Sequence, residues 1–216
     1  MISTIHKITD QRILNTLSRL HSEASQQGFT VIKGLAKGIF RPLTPKDMKD
    51  AYIAINRDQG EYIYNLLLQK KAKHIVEFGT SFGISTLYLG AAAKETGGKV
   101  ITTELLPEKC QVAQQNFVEA GLDNWIEIRE GDALKTLQNV APAIDFVLMD
   151  GWNDLYLPLI KILEPKFRKG TLIYTDNASF PSAQPFLNYI KSDPSKYHTM
   201  RIEESKGGSE LSEFIG

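Results

Sequence analysis

From His74 onward the chain repeats one pattern, in which a short apolar run is followed by a helix-length amphipathic stretch and then by another run. Buried parallel strands read as near-continuous apolar segments, and each needs a crossover helix to reach the next. The alternation therefore restricts the chain to an α/β architecture. The runs predict strands over residues 75–78, 100–104, 126–129, 146–149 and 172–175, and the stretches between and after them predict helices over 84–94, 108–120, 133–137, 156–163 and 184–190. After Pro194, residues 197–202 and 210–214 predict two further strands, with Gly207-Gly208 between them as a hairpin signal. The expected fold is a doubly wound α/β sheet with an antiparallel edge strand.

Before Lys73 the period changes. Ile13, Leu14, Leu17 and Leu20 form one helical stripe, Tyr62, Ile63, Leu66 and Leu67 another, and the prolines and glycines of 28–46 read as a loop between them. At 216 residues without internal repeats, one domain is expected: residues 1–73 as a helical extension and cover, 74–216 as the core. Charge divides at the same place, with 12 basic and 6 acidic residues through Lys73 and the opposite imbalance after it. Docking of a basic extension on an acidic core accounts for this; a basic cover over an anionic acceptor is the other reading.

Several function classes drop out. A formal net charge of zero gives none of the pull toward nucleic acid or anionic membrane that such partners require. The longest apolar stretch, 84–93, falls short of the ~20 residues that span a bilayer. The first residues lack the basic flank and apolar core of a signal peptide. The single cysteine, Cys110, forms no intramolecular disulfide and fits a reducing compartment. A cytoplasmic protein, without nucleic-acid or membrane partners, is expected.

In an open α/β sheet, ligands bind beyond the carboxyl ends of the strands, so the strand-end residues carry the functional information. The first strand runs into Glu77-Phe78-Gly79-Thr80-Ser81-Phe82-Gly83-Ile84-Ser85. Gly79 permits close approach of a ligand to the backbone, Gly83 a tight entry to the helix, and the helix start offers free N–H groups. Position 81 is serine, so the dinucleotide fingerprint is broken, and no Walker lysine follows. A nucleoside with a small anionic group fits better than a pyrophosphate. The second strand ends in Glu104, placed to accept from both ribose hydroxyls, and Asp132 after the third can accept from an exocyclic amine. Helix capping for Asp132 and a plain surface charge for Glu104 are the alternatives.

Residues 74–177 resemble the class I S-adenosylmethionine (SAM)-dependent methyltransferases, and more narrowly the O-methyltransferases related to the catechol and caffeoyl-CoA enzymes. The resemblance is carried by VEFGTSFGIST, Glu104, EGDAL, DFVLMDGWNDLY and YTDN, with weaker matches at 56–60 and in GGSELS. It implies a Rossmann-like methyltransferase sheet and SAM as methyl donor. By the same resemblance Glu77 and Gly79 border the methionine moiety, Ser85 its carboxylate, Glu104 holds the ribose, Asp132 and Ala133 flank the adenine, and Asp150 borders the cofactor.

Asp150 ends the fourth strand and Asp176-Asn177 the fifth. Neighbouring parallel strands lie ~5 Å apart, so these side chains can converge. Two carboxylates and an amide suit Mg²⁺ or Ca²⁺ and, without clustered His or Cys, not zinc; capping by Asp150 and a turn at Asn177 is the alternative reading. The resemblance implies the metal site, with Asp150, Asp176 and Asn177 as its ligands, and a direct displacement in which the metal orients and acidifies a hydroxyl of a small-molecule acceptor. Where the related enzymes usually carry a lysine base, this chain has Asn153, which removes no proton at ordinary pH. Asp150 and Asn153 are thus the candidate catalytic residues. Two other classes are weighed: a non-catalytic SAM-binding module, motivated by Asn153, and a nicotinamide-dependent oxidoreductase, which would leave the Asp150, Asp176 and Asn177 cluster unexplained. Titrating NADH against S-adenosylhomocysteine (SAH) separates the latter. A homodimer through the amphipathic N-terminal stripe is a further expectation.

Overall fold

The computed structural model describes residues 5–26, 47, 55–202 and 208–216. The expected 28–46 loop, residues 53 and 54 of the expected cover and Gly207 lie outside the described residues. Seven strands form one sheet: β1 (His74–Phe78), β2 (Lys99–Glu104), β3 (Ile126–Glu130), β4 (Ile144–Met149), β5 (Phe167–Thr175), β6 (Tyr197–Ile202) and β7 (Ser209–Phe214). Their spatial order is β3-β2-β1-β4-β5-β7-β6. All pairs from β3 to β5 are parallel, while β7 runs antiparallel to both β5 and β6. The doubly wound sheet with an antiparallel edge is therefore observed. After β3 the chain returns to the other side of β1, so the order switches between β1 and β4, where such folds open their ligand crevice.

The helices are α1 (Gln11–Gln26), α2 (Arg57–Lys70), α3 (Ile84–Thr96), α4 (Pro107–Ala120), α5 (Ala133–Thr136), α6 (Tyr156–Leu163) and α7 (Gln184–Lys191). Side chains alternate across a strand, so each central strand feeds two cores. Ile75, Phe146, Leu148, Leu172 and Tyr174 pack with the faces of α1, α2, α3 and α4. Val76, Val147, Met149 and Ile173 pack with those of α6 and α7. The helix α3 is apolar on nearly every side and buried from Ile84 to Ala93, as a central layer requires.

Two expectations need correction. Leu14 does not belong to the buried stripe of α1: the packed face is Ile13, Thr16, Leu17 and Leu20, and Leu14 remains 38% exposed. One residue step turns a helix ~100°, which carries position 14 out of the 13–17–20 line. Strand β5 also begins five residues before its apolar run, at Phe167, whose ring packs edge-on against Phe214 at 5.7 Å. Its register with β4 shifts between Ile144 and Phe146, which accommodates the polar Arg168-Lys169-Gly170 segment. The basic-on-acidic docking is present in Arg19 with Glu119 (2.6 Å) and Lys70 with Glu213 (3.1 Å), but Lys94 with Asp10 runs the other way. Such exposed pairs contribute little, so apolar burial dominates the docking.

Helices α1, α2 and α3 meet at one ring. Tyr88 of α3 lies over Gly60 of α2, where an added β-carbon would stand 2.3 Å from the ring, and its hydroxyl lies 3.1 Å from Nε2 of His21 on α1. Gly60→Ala should gain about 1 kcal/mol in helix propensity and lose more through the clash, because the ring is 3% exposed and has no room to retreat. A net loss of about 1–2 kcal/mol in urea unfolding is expected; a stabilised variant would show that α2 does not press on Tyr88.

Burial and, secondarily, Arg57 lower the His21 imidazole to about 4. Its neutral form is the native one, so its contribution is complete above pH 6.5 and is lost as the pH falls toward 4. His21 is partly solvated, so the loss is about 1–2 kcal/mol rather than the full linkage value. His21→Gln should remove this part of the acid sensitivity: the melting temperatures of wild type and variant should converge between pH 6.5 and 4.5. A constant difference across that range would refute it.

Candidate active site at the sheet switch point

The parallel ladder delivers the strand-end residues to one rim. Phe78 O accepts from Asp150 N at 3.0 Å and Met149 O from Asp176 N at 3.0 Å, so the ladder continues through both aspartates. At the β1 end, Gly79 N and Thr80 N both donate to Thr103 O, at 3.2 and 3.1 Å. Gly79 has φ +106°, and a β-carbon there would lie 2.5 Å from the Asp150 carbonyl oxygen. Only glycine lets the first and fourth strand ends approach this closely.

Glu77 is fully buried on β1. Its Oε2 accepts from Thr86 Oγ1 at 2.5 Å and Thr102 Oγ1 at 2.6 Å. Burial raises its carboxyl above the ordinary range, opposed by Ser85, Thr102 and Thr86, so the structure brings Glu77 and Ser85 together. Oε1 makes no hydrogen bond among the described residues, although the Ser85 hydroxyl lies near enough to favour the ionised form. A buried carboxylate oxygen without a partner suits a donor supplied by a ligand.

Glu104 folds back on the glycine loop, accepting from Ser81 N at 2.9 Å and Leu106 N at 3.0 Å. Ser81 has φ +48°, and its hydroxyl accepts from Lys109 Nζ at 3.1 Å. Two backbone donors leave a carboxylate further lone pairs for hydroxyls. Asp132 has the capping role that was its alternative reading: it is the N-cap of α5, accepting from Leu134 N at 3.0 Å. Ala133 is buried beside it in the first turn.

Asp150 and Asp176 act on each other electrostatically. Burial, the Asp176 charge and the Glu77 charge hold the Asp150 carboxyl well above the carboxylate range. Burial also raises Asp176, against opposing hydrogen bonds from Ser209, the Asn177 N–H and Gln59. Two carboxyl groups at adjacent strand ends, both raised by burial, supply hard oxygen donors of the kind a divalent ion takes. Asn177 follows at φ +56°, a left-handed conformation that asparagine tolerates. Among the described residues, no group of three or more His, Cys, Asp or Glu side chains forms a metal cluster.

Asn153 lies at this rim, but its Nδ2 donates to Asn177 O at 3.3 Å and so braces the turn. Tyr156 is core: its buried ring stacks edge-on with Phe78 and Phe186, and its hydroxyl donates to the Gly151 and Asp176 carbonyls at 3.4 Å. Sequence reading had no role for Gln59 beyond a place in the cover, nor for Ser209. Gln59 Nε2 and Ser209 Oγ each donate to Asp176 Oδ1 at 2.9 Å. The available signal was the Asn56-x-x-Gln59 capping-box spacing, which marked a helix start but not its partner across the fold.

The chain is similar to known proteins in sequence and in fold. The chain is 26% identical to catechol O-methyltransferase B of Danio rerio over 174 residues, 75% of this chain and 66% of that one. It is 33% identical to catechol O-methyltransferase of Niastella koreensis over 129 residues, 58% of each chain. It thus spans somewhat less than two thirds of the length of these two relatives. An O-methyltransferase from Bacillus cereus, solved in complex with SAH, has the same fold, with a TM-score of 0.72 and 20% identity over 99% of this chain and 100% of that one. A family profile described as O-methyltransferase matches residues 25–204, most of the chain, and on that match the protein belongs to the O-methyltransferase family.

Proposed function

We propose that the protein transfers a methyl group from SAM to a hydroxyl of a small molecule bearing two neighbouring oxygens, with help from a divalent cation. The observation that carries this reading is the placement of Asp150 and Asp176 at adjacent strand ends, on the same rim as the Gly79 turn, Glu77 and Glu104. SAM supplies an electrophilic methyl on a sulfonium, so that the acceptor oxygen gains a C–O bond as the C–S bond breaks and SAH leaves as a neutral thioether. Glu77 with its unpartnered Oε1, Gly79 and Ser85 would bind the amino-acid end, Glu104 the ribose, and Asp132 with Ala133 the adenine edge. Asp150, Asp176 and Asn177 would hold a cation whose Lewis acidity favours the acceptor oxyanion. Holding the acceptor in line with the methyl supplies the rest of the rate.

Asn153 holds the Asn177 carbonyl and takes no proton. On this reading the acceptor hydroxyl is made acidic enough to lose its proton by the cation rather than by residue 153. Residues 1–73 serve as the cover over the 74–216 core, with Gln59 the described point of entry into the site. The single cysteine, Cys110, fits a cytoplasmic setting, and among the described residues no helix is long and apolar enough to cross a membrane.

Calorimetric titration of Mg²⁺ into protein saturated with SAH should show one site that Asp150→Asn loses. Binding of SAH without any ion would leave a metal-independent transferase or a non-catalytic SAM-binding module, and NADH binding in place of SAH would refute the methyltransferase reading. With a catechol acceptor, Asn153→Lys should raise turnover at least about tenfold, since a positioned base commonly supplies more than that. An unchanged or slower variant would show that the missing base does not limit the reaction.

A further inference from the structure

Asp176 is held in a way that methyl transfer itself does not require. Gln59 Nε2 and Ser209 Oγ both donate to Oδ1 at 2.9 Å, and neither donates to Oδ2. The two donors also contact each other, with Gln59 Nε2 3.3 Å from Ser209 Oγ. Gln59 is fixed at its other end: its Oε1 accepts from Asn56 N at 3.0 Å, while Asn56 Oδ1 accepts from Gln59 N at 2.9 Å. The Asn56 backbone N–H, which any residue at 56 keeps, sets the orientation of the amide, because exchanging its oxygen and nitrogen would turn an acceptor toward a carboxylate and a donor toward an N–H. Gln59 and Ser209 are both buried, and the neighbouring Gly60 is pressed against Tyr88.

We infer that Gln59, with Ser209, is a positioning pair that presents Asp176 to a cation through one oxygen, and thereby gives the site its preference for Mg²⁺ over Ca²⁺. The inference rests on the metal reading above. Ca²⁺ takes six to eight oxygens at ~2.3–2.6 Å and readily uses a carboxylate through both oxygens, whereas Mg²⁺ requires near-octahedral geometry at ~2.0–2.1 Å with one oxygen from each carboxylate. With Oδ1 engaged by two protein donors, the bidentate mode costs both hydrogen bonds, while the monodentate mode costs neither. The selectivity then comes from a residue of the N-terminal extension that itself touches no metal.

The test is a pair of calorimetric titrations, MgCl₂ and CaCl₂, into the SAH-saturated full chain, with melting temperatures measured in parallel. The wild type should bind Mg²⁺ more tightly. Gln59→Met removes the donor at similar volume and should shift the ratio of dissociation constants toward Ca²⁺ by about fivefold or more. Ser209→Ala leaves the helix cap intact and should shift it in the same direction, so the outcome does not depend on the folding of a single variant. Asn56→Ala should lower the melting temperature by loss of the cap yet leave the ratio unchanged, which separates ion selection from stability. Ion binding by the wild type with equal ratios in Gln59→Met and Ser209→Ala, or a wild type that prefers Ca²⁺, would overturn the inference and leave the metal reading standing. No binding of either ion would overturn both.

Discussion

The structure depends on how acidic side chains are tolerated at the carboxyl rim of a parallel sheet. Parallel register carries β1, β2, β4 and β5 to the same edge, so Glu77, Glu104, Asp150 and Asp176 share one end of the molecule. Like charges in a poorly solvated place oppose ionisation: burial raises Glu77, Asp150 and Asp176, and the charges of Asp176 and Glu77 raise Asp150 further. Hydrogen bonds offset part of this: threonine hydroxyls for Glu77, Gln59 and Ser209 for Asp176. Among the described residues no comparable neutral donor opposes the rise of Asp150, where burial and the Asp176 and Glu77 charges act in one direction. That asymmetry puts the strongest remaining demand for positive charge at Asp150.

The first glycine of the rim has a second consequence. Because Gly79 allows the β1 end to lie against the Asp150 carbonyl, the glycine turn and the acidic pair are parts of one tight junction. On the proposed reading this joins the donor and acceptor halves of the reaction at the switch point. A bulkier residue at 79 would separate them before it disturbed either half alone. The N-terminal extension is tied to the same junction. The absence of a side chain at Gly60 lets α2 press on Tyr88, and the adjacent Gln59 reaches Asp176, more than a hundred residues away in sequence.

Most of the fold was legible because buried strands and amphipathic helices write different periods into the chain. β1 through β4 and α6 lie within a residue or two of their apolar runs, and the antiparallel β6–β7 pair is where its two runs placed it. Legibility failed where tertiary contacts outweigh pattern. The start of β5 is polar and becomes strand through its pairing with Ile144 and the Phe167–Phe214 contact. Leu14 is apolar and yet exposed. At the rim, the positions of Glu104, Asp150, Asp176 and Asn177 could be read from strand ends, since topology alone brings strand ends together, whereas Glu77 and Ser85 are singled out through the family resemblance. Gln59 could not, because a capping residue carries no mark of a partner on β5.

Asn153 illustrates what one substitution does to such a rim. A lysine there would place a positive charge beside an acidic pair that lacks one, and would relieve part of the demand at Asp150. Asparagine brings no charge and spends its amide on the Asn177 carbonyl, which stiffens the left-handed turn at that residue. The rim therefore gains no countercharge from position 153, while the loop that presents Asn177 is braced by the Asn153 amide. For a reaction that needs an acceptor hydroxyl made acidic, this exchange moves the burden from a proton-accepting side chain to whatever cation the carboxylates attract. On the proposed reading, the same acidic crowding that costs folding free energy at Asp150 and Asp176 is what draws the cation that replaces the base.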